Sequence, residues 1–239
     1  MKKIKWRHQT SIVKSDRNIA LRNTPNTKPV EERKNIVSNR PTVREHGTHS
    51  AHRLESKLEA DAMEIFMARQ DVVAVRTQVG PFEYRRDGVI HRHYADLCVT
   101  FANGCCVLYA VRHSSMCSDL KLELEHIRNH GLKNRAHFIK LLTENDISKP
   151  RVYRAREILR ARNLNDETCN ELVLQTLHNL GGRATVHDVV SRLPESFTYS
   201  DGWTAIWSMI DRGLFIHDHP QADSTPLNRT SWVRLIKEH

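Results

Sequence analysis

The spacing of apolar positions changes along this chain, and each change marks an element. In "HRLESKLEADAMEIFMAR", Leu54, Leu58, Ala62, Ile65 and Phe66 recur at helical spacing, so a helix is expected to begin near Ser50 and bury that stripe. The following "DVVAVRTQV" and "FEYRRDGVIHRHYADLCVTFANGCCVLYAVRH" are β-rich. Asp87-Gly88 and Asn103-Gly104 are hairpin turn pairs, because these residue types adopt positive φ most readily. A meander is predicted over Phe82–Arg86, Val89–Thr100 and Cys105–Arg112. A polar helix over Ser118–His130, closed by Gly131, then leads to a strand in "AHFIKLL", and "TENDI" reads as the cap of a short helix.

The last third has a different pattern. "PRVYRAREILRARN" opens with Pro150, suited to a first helical turn, and its basic character makes it read as a connector. "DETCNELVLQTLHNL" is a helix ended by Gly181-Gly182, "TVHDVVSRL" a second capped by Thr185, and "SDGWTAIWSMIDRG" a third. "LFIHDHP" and "TSWVRLI" follow as two strands around a polar loop. Three short helices and a hairpin are the winged-helix pattern, in which a later helix enters the DNA major groove. Here Trp203, Ile206, Trp207 and Ile210 look like core, and that helix is poor in Arg and Lys, so protein docking stands almost level with DNA reading.

Composition adds a location for the charge. The 239 residues are 39% hydrophobic and 27% charged, enough for a packed core, and no run of eighteen apolar residues crosses a membrane. The N-terminal "MKKIKWRHQTSIVKSDRN" lacks an apolar run, so no secretory leader is expected. Five cysteines, an odd set, favour a reducing compartment, and a cytoplasmic, nucleoid-associated location is expected. Of the formal net charge of +9, residues 1–50 contribute about +8, with 12 Lys and Arg against 4 Asp and Glu. Residues 1–49 therefore read as a basic arm that neutralises DNA phosphates through Lys2, Lys3, Lys5, Arg7, Arg33, Lys34, Arg40 and Arg44. The rest divides into a domain over 50–149, a helical connector over 150–163 and a winged-helix-like domain over 164–239.

Three features of the 50–149 domain line up chemically. Glu55 and Glu59 are one helical turn apart, so their carboxylates share a face. Asp96 lies in "HYADLCV", a strand apolar enough to be buried, where an acid is costly unless paired or bound to metal. After the Asn-Gly turn comes Ala110-Val111-Arg112. Helix acid, strand acid, hairpin and an x-Val-x strand is the order of restriction-endonuclease-like nucleases, whose acids hold magnesium to activate water. His91, His93 and His113 fall near Asp96 in sequence, and Cys98, Cys105, Cys106 and Cys117 lack the paired spacing of a zinc site.

From about Arg33 to Arg162 the chain resembles the N-terminal catalytic domain of TnsA-like endonucleases, partners of heteromeric transposases. The resemblance rests on "RKNIVSNRP", "LESKLEADAMEIF", "VVAVRTQV", "YRRDGVIHRHYADLCVTFANG", "CCVLYAVRH" and "HFIKLLTENDI". It implies a restriction-endonuclease-like mixed α/β sheet flanked by helices, followed by a winged-helix domain. It also implies that Glu59 and Asp96 are the metal-binding carboxylates, with Glu55 and Gln78 as supporting polar groups. Ala110 stands where the family has Glu or Gln, and Arg112 where it has Lys. Ala95, Val79 and His113 replace prolines of the family pattern. Alanine offers no side-chain oxygen to a hard cation, and arginine does not give up a proton at working pH.

The expectation is a DNA-binding protein on a TnsA-like nuclease scaffold that has lost its cutting chemistry. Its partners would be double-stranded DNA and a transposase or other DNA-bound protein, in transposition or in transcriptional regulation. No cofactor is called for. Two other readings stay open: an active endonuclease cutting transposon ends with magnesium at Glu59 and Asp96, and a protein-interaction adaptor.

Overall fold

The computed structural model describes residues 11–14, 20–23, 41–45, 50–132 and 134–236. The DNA contacts expected of Lys2, Lys3, Lys5, Arg7, Arg33, Lys34 and Arg40 fall outside the described residues. The chain divides into two units, 1–147 and 148–239.

Four short strands open the first unit: β1 (Ser11–Lys14), β2 (Ala20–Asn23), β3 (Thr42–Glu45) and β4 (Ser50–Arg53). They form a sheet in the order β1-β2-β4-β3, with β2 and β4 parallel and the other pairs antiparallel. The segment expected to be a basic arm thus contributes β1 to β3, and Arg44 pairs with Ala51 across β3 and β4. The helix expected from Ser50 begins later, because Ser50–Arg53 is the strand β4 and α1 spans Lys57–Met67. The cause of the later start is local. Ser56 has an extended backbone, and its hydroxyl accepts the Glu59 N–H at 3.2 Å, as an N-cap does.

A second sheet holds the centre of this unit. It comprises β5 (Val72–Arg86), β6 (Val89–Phe101), β7 (Cys106–Val111) and β8 (Phe138–Leu142) in that order, with β8 alone parallel to its neighbour β7. The two runs before Asp87-Gly88 are one strand, not two. Val79 pairs with Ala95 and Phe82 with His93, so β5 takes three steps where β6 takes two, and the bulge bends it without breaking it.

Helices cover both faces of this sheet. The Tyr109 ring lies 4.6 Å from that of Phe66 on α1. Leu108, one residue earlier on β7, packs instead with Leu120 and Leu124 of α2 (Ser118–His126) and with Ile127. Successive strand residues point to opposite faces, so α1 and α2 lie on opposite sides. The helix expected to run to His130 changes to a π-helical turn over Ile127–Gly131. Gly131 lies inside that turn and does not close it as a left-handed cap. A Cβ there would meet the Glu83 carbonyl at 3.1 Å. "TENDI" forms a hydrogen-bonded turn at Thr143–Ile147 rather than a helix cap.

The second unit contains α3 (Lys149–Asn163), α4 (Glu167–Asn179), β9 (Arg183–Thr185), α5 (Val186–Val190), α6 (Tyr199–Asp211), β10 (Phe215–His217) and β11 (Trp232–Leu235). Its antiparallel sheet has the order β10-β11-β9. The segment read as a connector is α3, a packed helix of this unit. Val152, Ala155, Ile158 and Ala161 bury one stripe, Glu157 accepts the Trp203 indole N–H at 2.7 Å, and Arg162 pairs with Asp211. Its five arginines hid that stripe. The chain is a mixed α/β protein, with a mixed sheet flanked by helices in its first unit, and no described helix is long and apolar enough to cross a membrane.

Candidate functional site

Glu59 sits in the first turn of α1, and local chemistry holds it there. Its Oε1 accepts the Ser56 hydroxyl at 2.8 Å and its Oε2 accepts the Glu55 backbone N–H at 3.0 Å. These bonds satisfy donors that a helix start leaves open, so Glu59 is in part a capping residue. It is no solvated helix flank, being only 5% exposed. Burial first, and the Asp96 charge second, push Glu59 up to about 7.

Gln78 joins the two acids. It lies between the pairs Thr77–Leu97 and Val79–Ala95 of the β5–β6 ladder, and its backbone takes the left-handed region at φ 51°, which a non-glycine residue rarely adopts. Its amide Nε2 donates to Glu59 Oε2 at 3.4 Å and to Asp96 Oδ1 at 3.3 Å. An uncommon backbone held at a buried polar junction is a mark of functional sites.

Asp96 occupies the place where β6 and β7 part. Their last paired residues are Leu97 and Tyr109, and beyond them Asp96 Oδ2 accepts the Val111 N–H at 2.7 Å. The carboxylate thus satisfies a backbone donor released by the opening ladder. Burial raises the Asp96 pKa; the Val111 N–H, then the charges of Arg112 and His93, and then Gln78 oppose that rise. Two carboxylates this close resist full ionisation together.

The remaining positions separate. Arg112 is exposed and acts electrostatically on Asp96. Glu55 contributes its backbone N–H to Glu59, while its own charge adds a small opposing effect. Ala110 is 1% exposed and belongs to the apolar cluster with Leu108, Leu120, Leu124 and Ile139. The third ligand position of the nuclease pattern is therefore filled by core. Arg44 is exposed on β3. Among the described residues, no group of three or more His, Cys, Asp or Glu side chains is placed to share a metal ion.

One participant is not legible from spacing. His93 donates its Nδ1–H to Glu123 Oε1, 3.0 Å away on α2, and its Nε2 is buried without a hydrogen-bond partner among the described residues. Glu123 also bears on Tyr84, whose pKa is pushed up to about 12 by burial and then by that carboxylate. Glu123 is thirty residues from His93, a separation that carries no sequence signal. His91 instead stacks on Tyr84, and His113 turns to Ser115 and Glu144. Ser56-x-x-Glu59, by contrast, is a readable capping pattern.

No protein-family model matches the chain, and no curated protein matches it.

Proposed function

We propose that this chain is a DNA-binding protein on a TnsA-like, restriction-endonuclease-like scaffold, with its cutting chemistry lost, and that it links DNA to a transposase-type partner or regulates transcription. One observation carries the reading. Glu59, Gln78 and Asp96 meet at the parting of two central strands, while Ala110, at the next ligand position, is packed into the core. Two-ion hydrolysis needs enough anionic oxygen to hold both ions, and a methyl group supplies none. Glu59 and Asp96 are the residues that would hold magnesium if any were bound. Arg112 keeps a positive charge that suits phosphate, in a form that does not transfer protons.

The second unit supports a winged-helix reading through α4, α5, α6 and the β9–β11 sheet. Its α6 buries Gly202 and every residue from Thr204 to Ile210, which leaves little of it to read bases. That burial favours protein docking by this unit over base readout by α6.

Two assays test the proposal. Duplex DNA affinity of the whole chain should fall by roughly a thousandfold between 50 and 200 mM salt for about six phosphate contacts, and a chain lacking residues 1–45 should show a flatter slope. An unchanged slope removes the basic segment from DNA binding. Plasmid nicking with magnesium or manganese should be absent for the chain alone and in mixtures with a neighbouring transposase. Metal-dependent nicking that Asp96→Ala abolishes would establish an active endonuclease instead.

A further inference from the structure

The second unit holds a pocket of about 480 Å³, lined by Arg154 of α3 and by the loop that leaves β10, including His217, His219, Gln221 and Asp223. Its lining sets one guanidinium and two imidazoles beside one carboxylate. Asp223 Oδ1 is 3.7 Å from Arg154 Nη1, beyond hydrogen-bond range, so this ion pair leaves the guanidinium N–H groups it faces uncommitted to it. The Asp223 side chain is 86% exposed, and water screens its charge. The Gln221 N–H donates to His219 Nδ1 at 3.1 Å, which places the proton of the neutral ring on Nε2. Asp218, the other loop acid, is engaged by Arg183 at 2.6 Å and Arg234 at 3.6 Å.

The surroundings also have the matching sign. His217 is buried and stacks on His219 with centroids 5.6 Å apart. Its pKa is lowered by burial first, then by His219 and by Arg154, against opposing effects of the Ala222 backbone and Asp218. Burial is the larger part of that effect, and Arg154 and His219 add a smaller positive contribution beside the pocket. A planar guanidinium and an imidazole N–H that line one open pocket are donor types that suit an oxyanion.

We propose that this pocket seats a backbone phosphodiester of duplex DNA, held by the Arg154 guanidinium and the His219 Nε2–H. The assignment rests on the DNA-binding reading above and adds to it a specific contact in the second unit.

The test uses the full chain in two arms. In the first, inorganic phosphate is titrated and followed by NMR at the His217 and His219 rings and the Ala222 amide. In the second, duplex affinity is measured across a salt series for wild type, Arg154→Gln and Asp223→Asn. Saturable shifts confined to the pocket are expected. Arg154→Gln should weaken DNA binding roughly equally for all sequences and lower the salt slope by about one. Asp223→Asn, which removes the competing carboxylate, should tighten binding by a few-fold. Absence of pocket shifts would overturn the site. Pocket shifts with DNA affinity and slope unchanged in Arg154→Gln would overturn the phosphodiester assignment and leave a free-phosphate site. Failure of the wild-type chain to bind any duplex, with pocket shifts intact, would overturn both the phosphodiester assignment and the DNA-binding reading, and would separate them from the anion pocket itself.

Discussion

The second unit and one junction of the first treat their carboxylates in opposite ways. In the second unit every described carboxylate with a displaced pKa is displaced downward, as Asp71 and Glu144 are in the first. Glu167 is held at about 2, by Arg212 first and then Asn165, while Thr185 lowers Asp188, Thr198 lowers Asp201 and Arg183 lowers Asp218. These acids cap helices or close ion pairs, and their charged forms favour the fold. At the junction of α1, β5 and β6 the reverse holds. Glu59 and Asp96 are both displaced upward, with burial as the first cause. Burial with incomplete pairing sets these two acids apart from those that close ion pairs and caps, which makes them the candidate site of the chain.

The largest expected effect comes from forcing a further acid into that junction. Ala110→Glu should destabilise the first unit by ~3–5 kcal/mol in chemical denaturation, because it adds volume and a charge to a closed apolar cluster. Paired with Arg112→Lys, the loss should persist when magnesium is added, since position 110 belongs to the apolar cluster. A mild loss without metal would mean that position 110 can reach the acid pair, and would weaken the contrast between core and site.

Glu59→Gln should act in the opposite sense. The folded pKa lies above the value of 4.5 for an unperturbed glutamate, so the folded state binds more protons between about pH 4.5 and 7. The contribution of Glu59 is then fully favourable below about 4.5 and is lost as pH rises through 7. Converted directly, the shift corresponds to about 3 kcal/mol at alkaline pH. Urea unfolding at pH 8 should show Glu59→Gln as more stable than wild type by ~2–3 kcal/mol, less any weakened capping, with the difference gone near pH 4. A destabilised Glu59→Gln at pH 8 would make Glu59 a structural cap and nothing more. The acids of the second unit carry the opposite sign: their contribution is present at neutral pH and is lost as pH falls through their lowered pKa values. Three of the four tryptophans, Trp203, Trp207 and Trp232, lie in that unit, so indole fluorescence of a Trp6→Phe chain tracks it through the acid limb.

Smaller effects probe the scaffold of the second unit. A Cβ at Gly202 would meet Leu193 Cδ1 at 2.8 Å and Val190 Cγ1 at 2.9 Å, and valine is stiff at χ1. Gly202→Ala should cost ~1–2 kcal/mol in thermal unfolding even though alanine favours a helix. Thr198→Ala should cost ~1 kcal/mol, because Thr198 and Asp201 form a reciprocal capping box at the start of α6. Neutral outcomes at both positions would show that the contacts of the second unit are less exacting than its ordered carboxylates suggest.

Much of this was readable from local chemistry. Asp87-Gly88 takes positive φ at both residues, as a tight hairpin requires, and Thr185 caps α5. The candidate acids were legible as well, because Asp96 is a lone charge in an apolar run and Glu59 follows Ser56 at capping spacing. The misreadings share one cause. Ser50–Arg53 was assigned by helical periodicity, but pairing with β3 makes it a strand. The stripe Val152, Ala155, Ile158 and Ala161 was present in the sequence, yet only its burial shows that α3 belongs to a core.

The sequence by itself determined the turn glycines, the caps, and the order along the chain of Glu59, Asp96, Ala110 and Arg112. These depend on chemistry within a few residues. Only the tertiary structure decided that Gln78 reaches both acids from a left-handed backbone, that Glu123 holds His93 from another helix, and that Ala110 faces core. Those facts depend on partners eighteen or more residues away and on the exclusion of water. Burial sets the cost of a charge, and a linear pattern does not contain burial until the chain has closed around it.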